Sequence, residues 1–300
     1  MPLQPSALQL YTRTASRSAQ TVIGQYSTSF SLACRLLDRQ SREHIANIYA
    51  LVRLADEVVD GVAVEAGLPA SEVARTLDEL EKDTEAALAC GYSTNLVVHA
   101  FACSARRHGI GVELTRPFFA SMRQDLVRPT HDELSLQDYI YGSAEVVGLM
   151  CLKVFQAMPG SKPDPDGRAL NAARRLGAAF QKVNFLRDLA ADSQELGRQY
   201  LPGTRHSELD EPRKQALVQD IAADLAAASE GLDYLAPRAA QAVRMAHGLF
   251  SELNARIART PANELLERRI SVPAGRKALI AARTFLPARP LIPTRIRSIA

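Results

Sequence analysis

The sequence predicts an all-α protein built as a single domain, and three observations carry that prediction. Alanine, leucine, arginine and glutamate, all favourable helix formers, fill long stretches of the 300 residues. Aromatic residues make up only 6% and tryptophan is absent, while the apolar–polar alternation of a half-buried strand is hard to find. Breakers divide the chain at Pro69, Gly91, Gly109 with Gly111, Pro129, a Pro159–Gly167 loop, Pro202, Pro261 and Pro273. No compositional shift marks a linker between two halves.

Between these breakers the sequence predicts eight to ten helices, at roughly 17–36, 41–61, 71–90, 93–108, 113–127, 135–158, 166–196, 212–229, 232–258 and 274–284. The second carries an apolar stripe of Ile45, Ile48, Tyr49, Val52 and Val59 at helical spacing. Pro69, Gly91, Gly109 and Pro129 bound the third, fourth and fifth. Ser135 with Asp138 ahead of an apolar run resembles a capping box for the sixth. Pro212 suits the start of the eighth, and the tenth follows Pro273.

Composition excludes several classes. With 47% apolar and 23% charged residues the chain is neither wholly disordered nor fibrous. A net charge of +3 is too small to argue for nucleic acid, although residues 268–300 hold eight basic residues and no acid. The four cysteines stand far apart without a CxxC pair, which argues against zinc or disulfides and for a reducing cytosol. Residues 1–20 lack the apolar region of a signal peptide. The longest apolar run, Val146 to Leu152, is far short of the ~18 residues a membrane span needs. A cytoplasmic protein is expected. Residues 286–300 contain three prolines among arginines and large aliphatic residues, and read as a disordered basic tail suited to weak peripheral contact with an anionic inner-membrane face.

Two segments carry the chemistry. Tyr49 to Asp60 and Gln181 to Asp192 each end in Asp-x-x-x-Asp with an arginine just upstream, Arg53 and Arg187. On a helix, residues i and i+4 share a face, so each pair presents two carboxylates together. Asp56 falls inside the apolar stripe and Asp60 at its margin, close to Arg53. Such placement is costly unless a cation or hydrogen bonds compensate. Gln181, Asn184, Asp188 and Asp192 form a stripe opposite Leu176, Ala179, Val183 and Leu186. A lone pair of this kind is usually solvated or salt-bridged. Here two such helices facing each other would line one cleft with hard oxygen ligands, a set that suits magnesium bridging to substrate phosphates. A di-iron bundle would need Glu-x-x-His, and no histidine here has a glutamate three residues before it.

These segments resemble the squalene/phytoene synthase family, and the likeness runs from about Tyr26 to Lys277. Tyr26-Ser-Thr-Ser-Phe30 followed by Ala33-Cys-Arg-Leu-Leu37 is similar to that family's diphosphate-contacting segment. Residues 49–60 and 181–192 resemble its two aspartate-rich motifs, the second continuing through Gly197-Arg-Gln-Tyr-Leu-Pro202. Tyr139 to Met150 resembles the helix lining its substrate tunnel. The resemblance implies an all-α isoprenoid synthase bundle around a central cavity, spanning 1–285. It implies head-to-head condensation of two geranylgeranyl diphosphates through prephytoene diphosphate to phytoene. The alternative is a squalene or dehydrosqualene product from farnesyl diphosphate, and a non-catalytic helical assembly factor is a distant third.

The same resemblance assigns roles. Asp56, Asp60, Asn184, Asp188 and Asp192 would ligate magnesium, or manganese in its place. Arg53, Arg187 and Arg269 would hold phosphate oxygens, with Ser27, Ser29, Tyr49 and Gln181 giving neutral hydrogen bonds. Tyr139 would stand near the reacting carbons, and Val146, Val147, Leu149 and Met150 would wall the tunnel. No nicotinamide cofactor is expected for the phytoene reaction. Thr28 and Glu57 depart from residues common in relatives, and no tyrosine stands near Leu249–Phe250 where one is expected.

Overall fold

The computed structural model describes residues 6–190, 198–202 and 209–284. Among them there are helices and no strands, apart from one isolated bridge between Thr130 and Gln199. The predicted tail therefore lies outside the described residues, as does Asp192.

Helix α1 (Ala7–Tyr26) starts ten residues earlier than expected, because Ser6 and Gln9 form a reciprocal capping box. It does not run on to residue 36. Ser27 adopts an extended conformation and its side chain accepts from the Phe30 N–H, capping a separate helix α2 (Thr28–Cys34). Asp38 caps α3 (Arg39–Val59) by accepting from the N–H groups of Gln40 and Ser41. A single turn, α4 (Val62–Glu65), leads to α5 (Ala70–Cys90), α6 (Leu96–His108) and α7 (Val112–Val127). Gly91 and Gly109 end α5 and α6 at φ of 83° and 66°, where a side chain would strain the backbone.

The expected helix 135–158 is three pieces. Asp132, not Ser135, is the cap of α8 (Glu133–Ile140), with Ser135 as the reciprocal partner. A π-helical segment, Tyr141–Glu145, then joins it to α9 (Val146–Gln156). Helix α10 (Arg168–Arg187) stops nine residues short of the expected end, with Asp188 in the capping position. Asp210 caps α11 (Glu211–Ala228), whose Pro212 sits in the first turn as expected. A 3₁₀ turn (Ser229–Tyr234) leads to α12 (Pro237–Arg259), then a single turn, α13 (Ala262–Leu265), and α14 (Ala274–Thr284).

The helices pack into two main apolar clusters. One joins α3, α5, α6, α7 and α9 around Leu51, Leu77, Phe101, Phe118 and Met150. The other joins α8, α10, α11, α12 and α13 around Val183, Leu186, Ile221 and Ile257. Phe30 packs against both. The halves meet where glycines let backbones touch. A Cβ on Gly177 of α10 would lie 2.5 Å from the Ala144 carbonyl oxygen, and one on Gly148 of α9 would lie 2.5 Å from that of Ala173. Such contact seats α10 directly on the π segment and α9. A cavity of about 770 Å³ is left between the clusters.

Candidate active site

Helix α10 forms one wall of the cavity, and its sequence is graded along that wall. Ala169, Ala172, Ala173, Leu176, Gly177, Phe180, Gln181 and Asn184 recur at helical spacing and all line the cavity, with Asp188 at the end. The face runs from small apolar residues to amides to a carboxylate. Leu176 therefore belongs to the cavity face and not to the opposite one, where Ala179, Val183 and Leu186 are fully buried.

Helix α3 brings the other acids. Asp56 lies in its last turn, and Asp60 caps it with an N–H bonded to the Asp56 carbonyl at 2.8 Å. Asp188 caps α10 the same way, with its N–H on the Asn184 carbonyl at 2.9 Å. The two motifs thus differ in register: the first ends at its helix terminus and the second begins there. Because α10 ends at Arg187, the predicted stripe from Gln181 does not run on past Asp188 as one face of that helix. Both termini add partial negative charge to carboxylates already present, which a cation would relieve.

Burial, reinforced by the neighbouring Asp60, pushes the Asp56 carboxyl up to about 8. On the same cavity Asn184 holds a buried Oδ1 that has no hydrogen-bond partner among the described residues. A buried acid and an orphaned amide oxygen on one cavity fit a hard cation. Among the described residues, however, no three acidic, histidine or cysteine side chains gather into a site that would hold a metal unaided.

The three arginines expected to hold phosphate oxygens are each paired with a carboxylate here. Arg53 pairs with Glu57 rather than Asp60, and its guanidinium lies 4.5 Å from the Tyr26 ring centroid. Arg187 pairs with its neighbour Asp188, to which Arg269 also reaches at 2.7 Å. Asp60 is held instead by Arg198, at 2.7 Å, and the same guanidinium donates to the Val59 carbonyl at 2.6 Å. From there a polar chain crosses the cavity wall. Arg198 reaches the Tyr200 hydroxyl at 3.2 Å, and Tyr200 donates to Asp125 Oδ1 at 2.9 Å. Tyr139 donates to Asp125 Oδ2 at 2.8 Å. Burial pushes the Asp125 carboxyl up to about 6 against the pull of Arg198, and raises the Tyr139 and Tyr200 phenols, which stay protonated.

Ser27, Ser29 and Tyr49 line the same cavity, as do Tyr139, Arg53, Gln181 and Arg269. Of the expected tunnel walls only Val147 does. Val146 and Met150 are buried in the first cluster, and Leu149 packs against it. Cys151, Leu152 and Phe155 line the cavity in their place. Phe250, where a tyrosine was expected, stacks on Phe180 with ring centroids 3.8 Å apart.

Residues 23–276 match the sequence pattern of the squalene/phytoene synthase family. The chain belongs to that family. Its members are prenyltransferases. A 15-cis-phytoene synthase from Paracoccus sp. is 32% identical over 266 residues, spanning 83% of this chain and 84% of the relative. A phytoene synthase from Arthrospira platensis is 33% identical, over 60% of this chain and 59% of its own. A chloroplastic phytoene synthase from Arabidopsis thaliana is 32% identical over 66% of this chain, which spans under half, 45%, of the relative's length. Among solved structures, a dehydrosqualene synthase superposes with a TM-score of 0.71 at 19% identity, covering 92% of this chain and 96% of the other. A squalene synthase from Alicyclobacillus acidocaldarius gives 0.70 at 20%, covering 83% and 95%. The fold is the all-α isoprenoid synthase fold. No helix among the described residues is long and apolar enough to cross a membrane.

Asp125 and Tyr200 also line the cavity, and Arg198 is bonded to Tyr200 beside it. Asp125, Arg198 and Tyr200 had no expected role. Asp125 was findable: Leu114, Phe118 and Met122 form a buried stripe at spacings of four, and Asp125 continues it three residues on. A carboxylate on such a stripe is the signal that singled out Asp56.

Proposed function

We propose that this chain condenses two geranylgeranyl diphosphates head to head, through prephytoene diphosphate, to phytoene. The observation that carries the reading is the graded face of α10. From Asn184 at the polar end to Ala169 at the apolar end is 15 residues, or about 22 Å of helix. The sixteen-carbon main chain of a geranylgeranyl group spans ~19 Å at ordinary C–C bond lengths. A polar end for diphosphate and an apolar floor beyond that reach match a twenty-carbon substrate. The phytoene synthases named above, at 32–33% identity, support the same substrate.

Two ionisations expel two diphosphates, and each is followed by the loss of one proton. In the first, the C2–C3 double bond of one substrate attacks C1 of the allylic cation of the other, and loss of a proton from that C1 supplies the electron pair that closes the cyclopropane. Asp56, Asp60, Asp188 and Asn184 would hold magnesium together with substrate phosphate oxygens. Magnesium supplies there the Lewis acidity that turns diphosphate into a competent leaving group. Arg187 and Arg269 pass from Asp188 to phosphate oxygens once that acid is drawn away, and Arg53 exchanges Glu57 for a phosphate oxygen. Phe180, Leu176 and the other apolar walls keep water from the cations. Tyr139, its hydroxyl engaged by Asp125, contributes its ring to cation stabilisation.

The test is incubation of purified protein with magnesium and either geranylgeranyl or farnesyl diphosphate, with and without NADPH, followed by mass spectrometry of extracted hydrocarbons. A C40 product from the longer substrate without NADPH is the expected result. A C30 product from farnesyl diphosphate alone overturns the substrate assignment. No product from either would point to a non-catalytic role.

A further inference from the structure

Asp125 of α7 lines the cavity as a partly buried carboxylate, and among the described residues no cation pairs with it directly. Its two oxygens are taken by phenols instead. Oδ1 accepts from Tyr200 at 2.9 Å and Oδ2 from Tyr139 at 2.8 Å. Arg198 bonds to Asp60 and to the Tyr200 hydroxyl, so it meets Asp125 only through that phenol. Burial raises the Asp125 carboxyl only to about 6, which leaves it charged at neutral pH. A negative charge without a direct counter-ion thus stands on the cavity wall. Backbone contacts hold the two residues that bear the phenols. Ser121, one turn earlier on α7, donates to the Tyr139 carbonyl at 3.2 Å. The segment bearing Tyr200 is tied to the α7–α8 connection by the Gln199 N–H on the Pro129 carbonyl at 2.7 Å. The Tyr139 and Tyr200 ring centroids lie 5.1 Å apart, and Phe185 stacks on Tyr200 at 4.4 Å with the planes 12° apart. All three rings line the cavity.

We propose that Asp125 is a positioning residue for the carbocation: it fixes the rings of Tyr139 and Tyr200 as one wall and backs that wall with negative charge. The inference rests on the reading of the cavity as a prenyl diphosphate condensation site, and it holds for either chain length. A ring attracts a cation through the negative potential of its face, and only where that face is presented. With backbone and hydroxyl both held, neither ring is free to turn edge-on. A phenol that donates to a carboxylate is also polarised, and hydrogen bonds in series reinforce one another. In a site shielded from water the charge itself acts across the width of a ring. A cation held against this wall is kept for rearrangement to hydrocarbon. One that is not held is open to water, whose oxygen adds to the carbon with loss of a proton to give an alcohol.

Product partition tests this, on the full chain with magnesium and either geranylgeranyl or farnesyl diphosphate. Alcohols that carry both prenyl chains and the hydrocarbon are quantified together by mass spectrometry. Asp125→Asn keeps the shape and one acceptor oxygen but loses the charge. It should raise the alcohol-to-hydrocarbon ratio ~10-fold or more, the range for a hydrogen bond to a charged group. A ratio taken within one extract does not depend on how much of the variant is folded. Tyr139→Phe and Tyr200→Phe keep the rings and free them from the carboxylate, so each should raise the ratio by less. Adding both to Asp125→Asn should raise it no further, as expected of residues that act as a unit. An unchanged ratio in Asp125→Asn overturns the proposal. Full additivity with the tyrosine variants also overturns it, because Asp125 would then act apart from the rings. Either result, with hydrocarbon still made by the unaltered protein, leaves the condensation reading standing. No hydrocarbon from the unaltered protein removes that reading and the proposal with it.

Discussion

A carboxylate buried beside a second carboxylate is unstable on its own terms, and Asp56 shows what that costs the protein. Its pKa rises from the ordinary 3.8 to about 8, first through burial and then through Asp60. A raised acid pKa means the folded state keeps its proton after the unfolded chain has lost it. Stability therefore falls as pH rises from about 4 to about 8 and levels off above that window. We expect the melting temperature of the chelated protein to drop across that range and the drop to be largely absent in Asp56→Asn. Part of the Asp56 surface is open to the cavity, which moderates the effect, so at pH 8 the variant should melt ~2–6 °C higher. The same variant should lose at least ~10³-fold in turnover, as expected when a group stabilising the developing charge is removed. Differential scanning calorimetry over pH and a product assay check both halves. A variant both less stable and inactive would mean that Asp56 is compensated in a way the unliganded structure does not contain. Asp56 was legible because its neighbours on the helix are apolar. Arg198 and Tyr200 were not, since nothing in a loop sequence says which way its side chains turn.

At the scale of elements, helix existence was legible and helix interruption was not. The segment 135–158 has ordinary helical composition throughout, so nothing local marks the π turn at Tyr141–Glu145. The cause is tertiary. A Cβ on Gly142 would lie 2.1 Å from Ser121 Oγ and 2.2 Å from the Pro117 carbonyl oxygen, so α7 runs directly against that turn. Likewise the stop at Asp188 carries no proline or glycine, and the break at Ser27 shows only as a serine able to cap α2. The α1 start was legible in principle, from Ser6 and Gln9. Gly177 tests how much the close crossing matters. Valine there would place its Cβ 2.5 Å from the Ala144 carbonyl oxygen and 3.1 Å from the Glu145 Cα, backbone atoms with no rotamer to escape through. Gly177→Val should destabilise by ~3 kcal/mol, as overpacking does. At a typical unfolding entropy per residue that lowers the melting temperature by ~5 °C. Thermal unfolding followed by circular dichroism measures it, and an unchanged melting temperature would show that α10 can shift off the π-helical segment without loss.

Among the described residues two main apolar clusters are held apart by a cavity, and in the proposed reading its depth along the α10 wall sets how long a chain it accepts. That depth was invisible in the sequence, because tunnel walls and core are equally apolar: Val146 and Met150 turned inward to the core while Val147 and Cys151 turned to the cavity. The small residues at the deep end of α10 make the depth adjustable. From Asn184 to Ala173 is 11 residues, or about 16 Å of helix. A twelve-carbon farnesyl main chain, ~14 Å long, ends above that level, whereas the ~19 Å geranylgeranyl chain passes it. Ala173 is partly exposed to the cavity, so a larger side chain there has open space to enter. Ala173→Phe should therefore cut kcat/KM for geranylgeranyl diphosphate by ~10–100-fold, about what one or two misplaced apolar groups cost in a pocket. Its effect on farnesyl diphosphate should be small. The ratio of the two rates is the readout, since a general loss of fold or of diphosphate binding lowers both together. A matched decline in both substrates would mean that the chain does not descend along α10, and that another wall sets the product length.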